Sequence, residues 1–120
     1  MKIVIYNDEL RSEMQMYLTL SRQHEVEIAQ DMEDLLSLLE EEKADLTFLD
    51  LKPNAIESSK EIDVFEIAQK ILKKHPQVKV VGICDRDESS LQVKAIKKGI
   101  SEIITRPIKN RELLEVIAKE

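Results

Sequence analysis

The sequence predicts an α/β chain of five βα units, a parallel sheet with helices on both faces. Two observations carry that expectation. Short apolar runs of strand length alternate five times with longer runs of helical period, and the runs at 2–6, 45–49 and 78–83 show no polar alternation. A strand covered on both faces by helices reads as continuous apolar sequence. Parallel neighbours cannot be joined by hairpins, so each strand needs the amphipathic crossover that follows it.

KIVIY (2–6), VEIA (26–29), DLTFL (45–49), VKVVGI (78–83) and EIIT (102–105) are rich in Val, Ile, Phe and Thr and make the five strands. Leu10, Met14, Tyr17 and Leu18 fall at i, i+4, i+7 and i+8 and form the stripe of a first helix. Met32, Leu35, Leu36 and Leu39 repeat it, with Asp31 as N-cap. Val64, Ile67, Ala68 and Ile71 make a third helix that ends near His75-Pro76. Leu91, Ala95 and Ile96 make a fourth, closed by Gly99 at C′, and Leu113, Val116 and Ile117 a fifth, capped by Asn110. The segment 52–61 (KPNAIESSKE) has no clear period and is longer than a usual βα loop. The expected architecture is the flavodoxin-like doubly wound (βα)5 fold, with a five-stranded parallel sheet of order 2-1-3-4-5.

A chain of 120 residues fits one domain, 1–120, and 42% hydrophobic with 35% charged residues is a globular composition. The single cysteine, Cys84, excludes an internal disulfide and fits a reducing compartment. No apolar run reaches membrane-spanning length, and the N-terminus lacks a signal-peptide core, so the expected location is cytoplasmic with no membrane partner. A net charge of −6 argues against nucleic-acid binding, which needs excess Lys and Arg on the phosphates. The charge is uneven: residues 1–69 carry 17 acids and 6 bases, residues 70–120 carry 7 acids and 12 bases. Solvated surface accounts for most such asymmetry; a basic face for an acidic protein partner is the sharper alternative.

In open α/β sheets ligands gather beyond the carboxyl ends of the strands, where the strand order reverses. Here that point lies between strands one and three, which end in Asn7-Asp8-Glu9 and in Asp50. Taken singly, Asp8 reads as a helix cap and Asp50 as a loop-entry acid; together at neighbouring strand ends they make a site. Adjacent carboxylates repel unless neutralised, and Mg²⁺ needs only one or two of them, a carbonyl and waters. Strand four delivers Cys84-Asp85 and strand five Thr105-Arg106-Pro107, so Arg106 is placed to pair with the acids. If Asp8, Asp50 and Asp85 repel with only Arg106 to offset them, neutralising Asp50 stabilises the fold.

From Met1 to Glu120 the chain resembles the receiver domain of two-component response regulators, which are CheY-like phosphorelay proteins. KIVIYNDE resembles the family's opening strand with its acidic pair, and ADLTFLD the strand that presents the phosphoacceptor aspartate; VVGICD, KGISEIITRP and RELLEVI follow in order. The resemblance implies Asp50 as phosphoacceptor. It implies weak Mg²⁺ held by Asp8, Asp50, Asn7 and the Lys52 backbone carbonyl, with Cys84 in the switch-hydroxyl position and Arg106 in that of the family's lysine. The family's chemistry is attack of the aspartate on a phosphohistidine, giving an acyl phosphate that biases the α4–β5–α5 face.

The departures bear on the switch. Asn7 removes a charge, Arg106 replaces a compact ammonium by a planar fork, and Cys84 replaces a hydroxyl by a weak donor. Asp85 puts an anion where a small residue leaves room, Ile103 stands in the aromatic switch position, and Val64 holds the place of a glycine. Pro53 restrains Lys52. The expectation is a stand-alone atypical receiver, monomeric or weakly dimeric and not an enzyme. It would signal by contact with a histidine kinase or other signalling protein, through surfaces such as Lys94, Lys97 and Lys98 or the loop 52–61, with no output domain. The alternatives are a conventional phosphoacceptor on Asp50 and a flavodoxin-like small-molecule binder or enzyme. Against the last, no Gly-rich phosphate loop is present, Asp85 does not activate Cys84, and His24 and His75 lie far apart.

Overall fold

The computed structural model describes residues 1–51 and 64–119. The elements run β1 (Lys2–Tyr6), α1 (Leu10–Leu20), β2 (Glu25–Ile28), α2 (Met32–Glu42), β3 (Leu46–Asp50), α3 (Val64–Lys74), β4 (Lys79–Asp85), α4 (Ser89–Lys97), β5 (Glu102–Arg106) and α5 (Asn110–Ala118). The five strands form one sheet in the order β2-β1-β3-β4-β5, with every pair parallel. This is the flavodoxin-like (βα)5 fold expected from the alternation of runs. β1, β3 and β4 are the inner strands and are almost wholly buried, whereas the edge strand β2 alternates exposed and half-buried.

Strand alternation sends successive side chains to opposite faces, and each face has its own core. On one face Val4, Leu49, Val80 and Cys84 pack with Leu35 and Leu39 of α2, Ala68 and Ile71 of α3, and Ala95 of α4. On the other, Ile3, Ile5, Phe48, Val81, Ile83 and Ile104 pack with Met16 and Leu20 of α1 and Leu113 and Val116 of α5. Full burial of a side chain such as Phe48 or Leu20 contributes about 1.5–3 kcal/mol. The one hydroxyl inside β3, on Thr47, donates to the Val4 carbonyl at 3.0 Å, so it enters the core satisfied.

Two local expectations fail. Helix α1 forms where its period predicts, yet the stripe Leu10, Met14, Tyr17 and Leu18 faces solvent, at 69, 53, 39 and 61% exposure. The buried row is Ser12, Met16 and Leu20, again at i, i+4, i+8. Helical spacing identifies the helix but not its inner face when both sides carry apolar residues. Asn110 does not cap α5: Lys109 stands at the N-cap, and Asn110 Oδ1 instead accepts from Gln15 Nε2 (3.0 Å) and Thr19 Oγ1 (3.1 Å) of α1. Asp31 does cap α2, accepting the Asp34 amide at 2.8 Å, and Gly99 follows α4 with φ +94°. The loop 52–61, with Lys52 and Pro53, lies outside the described residues.

Candidate functional site

Parallel strands bring their carboxyl ends to one edge, and alternation then decides which side chains meet there. Ile5, Phe48, Ile83 and Ile104 point into the α1/α5 core, so the residues two further on, Asn7, Asp50, Asp85 and Arg106, point the same way at the rim. Register places Asp50 beside Ile83 and Asp85 directly opposite Arg106. Cys84 lies one residue out of phase and points to the other face.

Arg106 is the hub. Its Nη1 donates to Asp50 Oδ2 at 3.1 Å and to Asn7 Oδ1 at 3.0 Å, Nη2 reaches Asp50 Oδ1 at 3.5 Å, and Nε donates to Asp85 Oδ1 at 2.8 Å. Glu9 Oε2 stands 3.9 Å from the same Nε. Asp50 is fully buried and Arg106 nearly so, whereas the Asp85 side chain is half exposed. Burial works against the charge on Arg106, but hydrogen bonds and attraction from Asp50, then Asp85, outweigh it and hold the guanidinium above its ordinary pKa. A planar fork fits this set of oxygens; a lysine ammonium could not satisfy all of them at once.

The remaining expected residues fall as follows. The Asp8 backbone N–H donates to Asp50 Oδ2 at 2.9 Å, which places the ends of β1 and β3 side by side. The Asn7 amide uses both ends: Oδ1 accepts from Arg106 and from the Glu9 amide, while Nδ2 donates to Ser12 Oγ at 2.7 Å and lies 3.5 Å from Met16 Sδ. Cys84 is fully buried in the apolar cluster that also receives Ile103. Burial, and next the Glu88 charge, push its thiol up to about 11. Lys52 lies outside the described residues.

Ser12 and Glu9 join this network without being among the expected site residues. Ser12 carries a signal, since it sits in the i, i+4, i+8 row with Met16 and Leu20, although a polar residue breaks an apolar stripe. At the mouth, Glu9, Arg11, Asp85, Arg86, Asp87, Arg106 and Pro107 line an open hollow of about 780 Å³.

The divalent cation implied by the resemblance would need Asp50, Asn7 and Asp8 to turn oxygens toward it. As arranged, the residues do not fit one: Asp50 Oδ2 and Asn7 Oδ1 both accept from a single guanidinium nitrogen, Arg106 Nη1. Among the described residues, no group of three or more His, Cys, Asp or Glu side chains is placed to hold a metal.

Comparison with known proteins follows the same lines. The chain matches the family described as response regulator receiver domain over residues 3–118. Its structure is similar to the receiver domain of NtrX from Brucella abortus, at 26% identity and TM-score 0.85, covering 98% of this chain and 95% of that one. A longer NtrX structure from the same organism matches at 26% identity and TM-score 0.86, but this chain spans only 26% of it. A CheY-like response regulator receiver domain protein from Methanospirillum hungatei JF-1, at 24% identity and TM-score 0.82, covers 98% of this chain and 90% of its own, and shares the fold. No curated protein matches the sequence.

Proposed function

This chain belongs to the response regulator receiver domain family, and from that premise we propose that it is an atypical receiver. It signals by protein contact, and its phosphorylation switch is impaired. Receivers act in signal transduction with histidine kinases and other signalling proteins, and membership of the family supports this reading over that of a flavodoxin-like enzyme or small-molecule binder. The observation that carries the proposal is the engagement of Asp50: both its oxygens face the Arg106 fork, and Oδ2 also accepts the Asp8 amide. Three N–H groups take three of the four lone-pair positions of this carboxylate, and the guanidinium stands where a phosphoryl group would approach it.

Asp85 adds a half-exposed negative charge beside that acid, and the buried thiol of Cys84 is a weak donor in place of a hydroxyl. Ile103 packs against the core with no ring to swing. The surfaces that support a contact role are the outward apolar row of α1 and the end of α4. On α4, Lys94 lies 4.7 Å over the Phe65 ring while Lys97, Lys98, Val93 and Ile96 are exposed. On this reading the domain turns over no substrate of its own, and it acts as a monomer or weak dimer in the cytoplasm. No helix among the described residues is long and apolar enough to cross a membrane, which fits that location. Mg²⁺ binding is general in the family; with Asp50 and Asn7 both engaged by Arg106, it is weak at most in this chain.

The test is NMR of the full chain with Mg²⁺ and beryllofluoride, a phosphoryl mimic. Amides of residues 87–105 stay in place in the wild type and move in the Cys84→Thr/Asp85→Ala double variant. Equal movement in both would establish the second reading, a conventional phosphoacceptor on Asp50. That reading is favoured by one observation, the placement of Asp50 at the switch point of the sheet beside Asp8.

A further inference from the structure

We propose that α1 packs antiparallel against α1 of a second copy of this chain, through Leu10, Met14, Tyr17 and Leu18, with Leu114 of α5 at the rim. The inference stands on this surface and not on the state of Asp50, so it goes beyond the receiver reading and does not depend on it.

Among the described residues seven large hydrophobic side chains are exposed, and five of them lie on this one face. Leu10, Met14 and Leu18 recur at intervals of four and Tyr17 fills their flank, so the row is continuous over about 12 Å of helix. A groove of about 510 Å³ joins Leu18 to Leu114 and extends the apolar surface onto α5. Grouped apolar exposure of this kind marks an interaction surface, where single exposed residues do not. The helix cannot roll to bury the row, because Met16 and Leu20 are fully buried on its other side. Gln15 Nε2 also donates to the Ile108 carbonyl at 2.6 Å, and Thr19 Oγ1 to Asn110 Oδ1 at 3.1 Å, which fastens α1 to α5.

Charge selects a second copy as the occupant. Asp8, Glu9 and Glu13 outnumber Arg11 at the start of α1, whereas Arg22 stands beyond its end with no acid before Glu25. An antiparallel copy sets each acidic start against the other's basic end and opposes the two helix dipoles favourably; a parallel copy sets like ends together. On α5, Arg111 and Glu115 beside Leu114 are bound to each other at 3.2 Å and add no net charge. The other exposed pair, Val93 and Ile96 of α4, sits among Lys94, Lys97 and Lys98, so two copies of that patch repel. One short helix and a rim residue give less area than the roughly 800 Å² per partner of a stable complex, so the contact is a weak isologous dimer.

The test is self-association of the full chain on dilution, followed by sedimentation and by amide NMR, with neither Mg²⁺ nor a phosphoryl mimic present. Expected in the wild type is a dimer that half dissociates between about 10 μM and 1 mM, with the amides of residues 10–18 and 114 moving and those of 89–97 still. An antiparallel contact centred on the row brings Met14 close to its own copy. Met14→Glu and Met14→Lys should therefore each weaken association at least ten-fold, and their equimolar mixture should associate at least ten-fold more tightly than either alone. Leu18→Ser, which should also weaken the dimer at least ten-fold, serves if a charged variant does not fold. A wild type that stays monomeric throughout, dilution shifts centred on residues 89–97, a dimer indifferent to these substitutions, or a mixture no tighter than its components would each overturn the proposal. Because the site around Asp50 is left without ligand, these results stand apart from the test of the impaired switch.

Discussion

Arg106 and Asp50 meet at the ends of β5 and β3 as a fork on a carboxylate, with Nη1 3.1 Å from Oδ2 and Nη2 3.5 Å from Oδ1. The acid is fully buried and the base nearly so. Three acids against one base at these strand ends predict net repulsion. The geometry reverses that balance at Asp50, because its charge is paired with Arg106 and hydrogen-bonded to the Asp8 amide.

Asp50→Asn should therefore lower the urea midpoint rather than raise it. Breaking one side of a buried pair costs about 3–5 kcal/mol, and here the loss should fall at or below the low end because Arg106 keeps Asp85. Arg106→Gln should cost more than Asp50→Asn, since it removes the paired charge from a fully buried acid. Urea unfolding with an unchanged slope measures both. A raised midpoint for Asp50→Asn in metal-free buffer would restore the repulsion argument.

The two faces of α1 give opposite outcomes. Leu18→Ser and Met14→Gln remove exposed side chains and should change stability by no more than about 0.5 kcal/mol. Leu20→Ala empties a fully buried site facing β1 and β3 and should cost about 2–5 kcal/mol. Thermal or urea unfolding of the three variants checks the assignment of the inner face, and comparable losses at positions 18 and 20 would contradict it.

Gly99→Ala should destabilise by about 1–2 kcal/mol, because the backbone there is left-handed at φ +94°. A Cβ would also stand 3.2 Å from Leu72 Cδ1. Lys43, at φ 50° after α2, marks the converse case: Lys43→Gly relieves the strain a side chain carries there and should stabilise by a few tenths to about 1 kcal/mol.

The parallel sheet was legible because buried parallel strands leave a continuous apolar signature and helical crossovers join parallel neighbours; its order, 2-1-3-4-5, is one of the common doubly wound arrangements. The order alone brings Asp50, Asp85 and Arg106 to one edge; Asn7, one residue beyond β1, joins them through strand alternation, where the order pointed to Asp8. What the sequence withheld was competition between partners. Nothing in a linear reading says that Arg106 binds Asp50, Asp85 and Asn7 together, or that Ser12 fixes the Asn7 amide. The inner face of α1 was hidden for a related reason: its outer face carries four large apolar residues and its inner row contains a serine. Boundaries shifted by one or two residues, as at β4, which continues to Asp85.

Cys84 gives the last prediction, which concerns pH. Its thiol is fully buried and its pKa is pushed up to about 11, above the 9.0 of an ordinary thiol. The unfolded chain therefore loses this proton first as pH rises. The stabilising difference is whole below about pH 9 and is lost as pH rises through about 11, because in that window the folded state binds more protons than the unfolded one. At about 1.4 kcal/mol per unit the loss is at most roughly 3 kcal/mol. Cys84→Ala lacks the group, so the stability gap between wild type and variant should change across this window and stay constant below it. Urea unfolding of both proteins from pH 7 to 11 measures the gap, and parallel curves throughout would refute the shift. The same burial keeps the thiolate fraction negligible at pH 8. Alkylation by iodoacetamide should then proceed only through opening of the fold, at least about 10³-fold slower in native buffer than in denaturant.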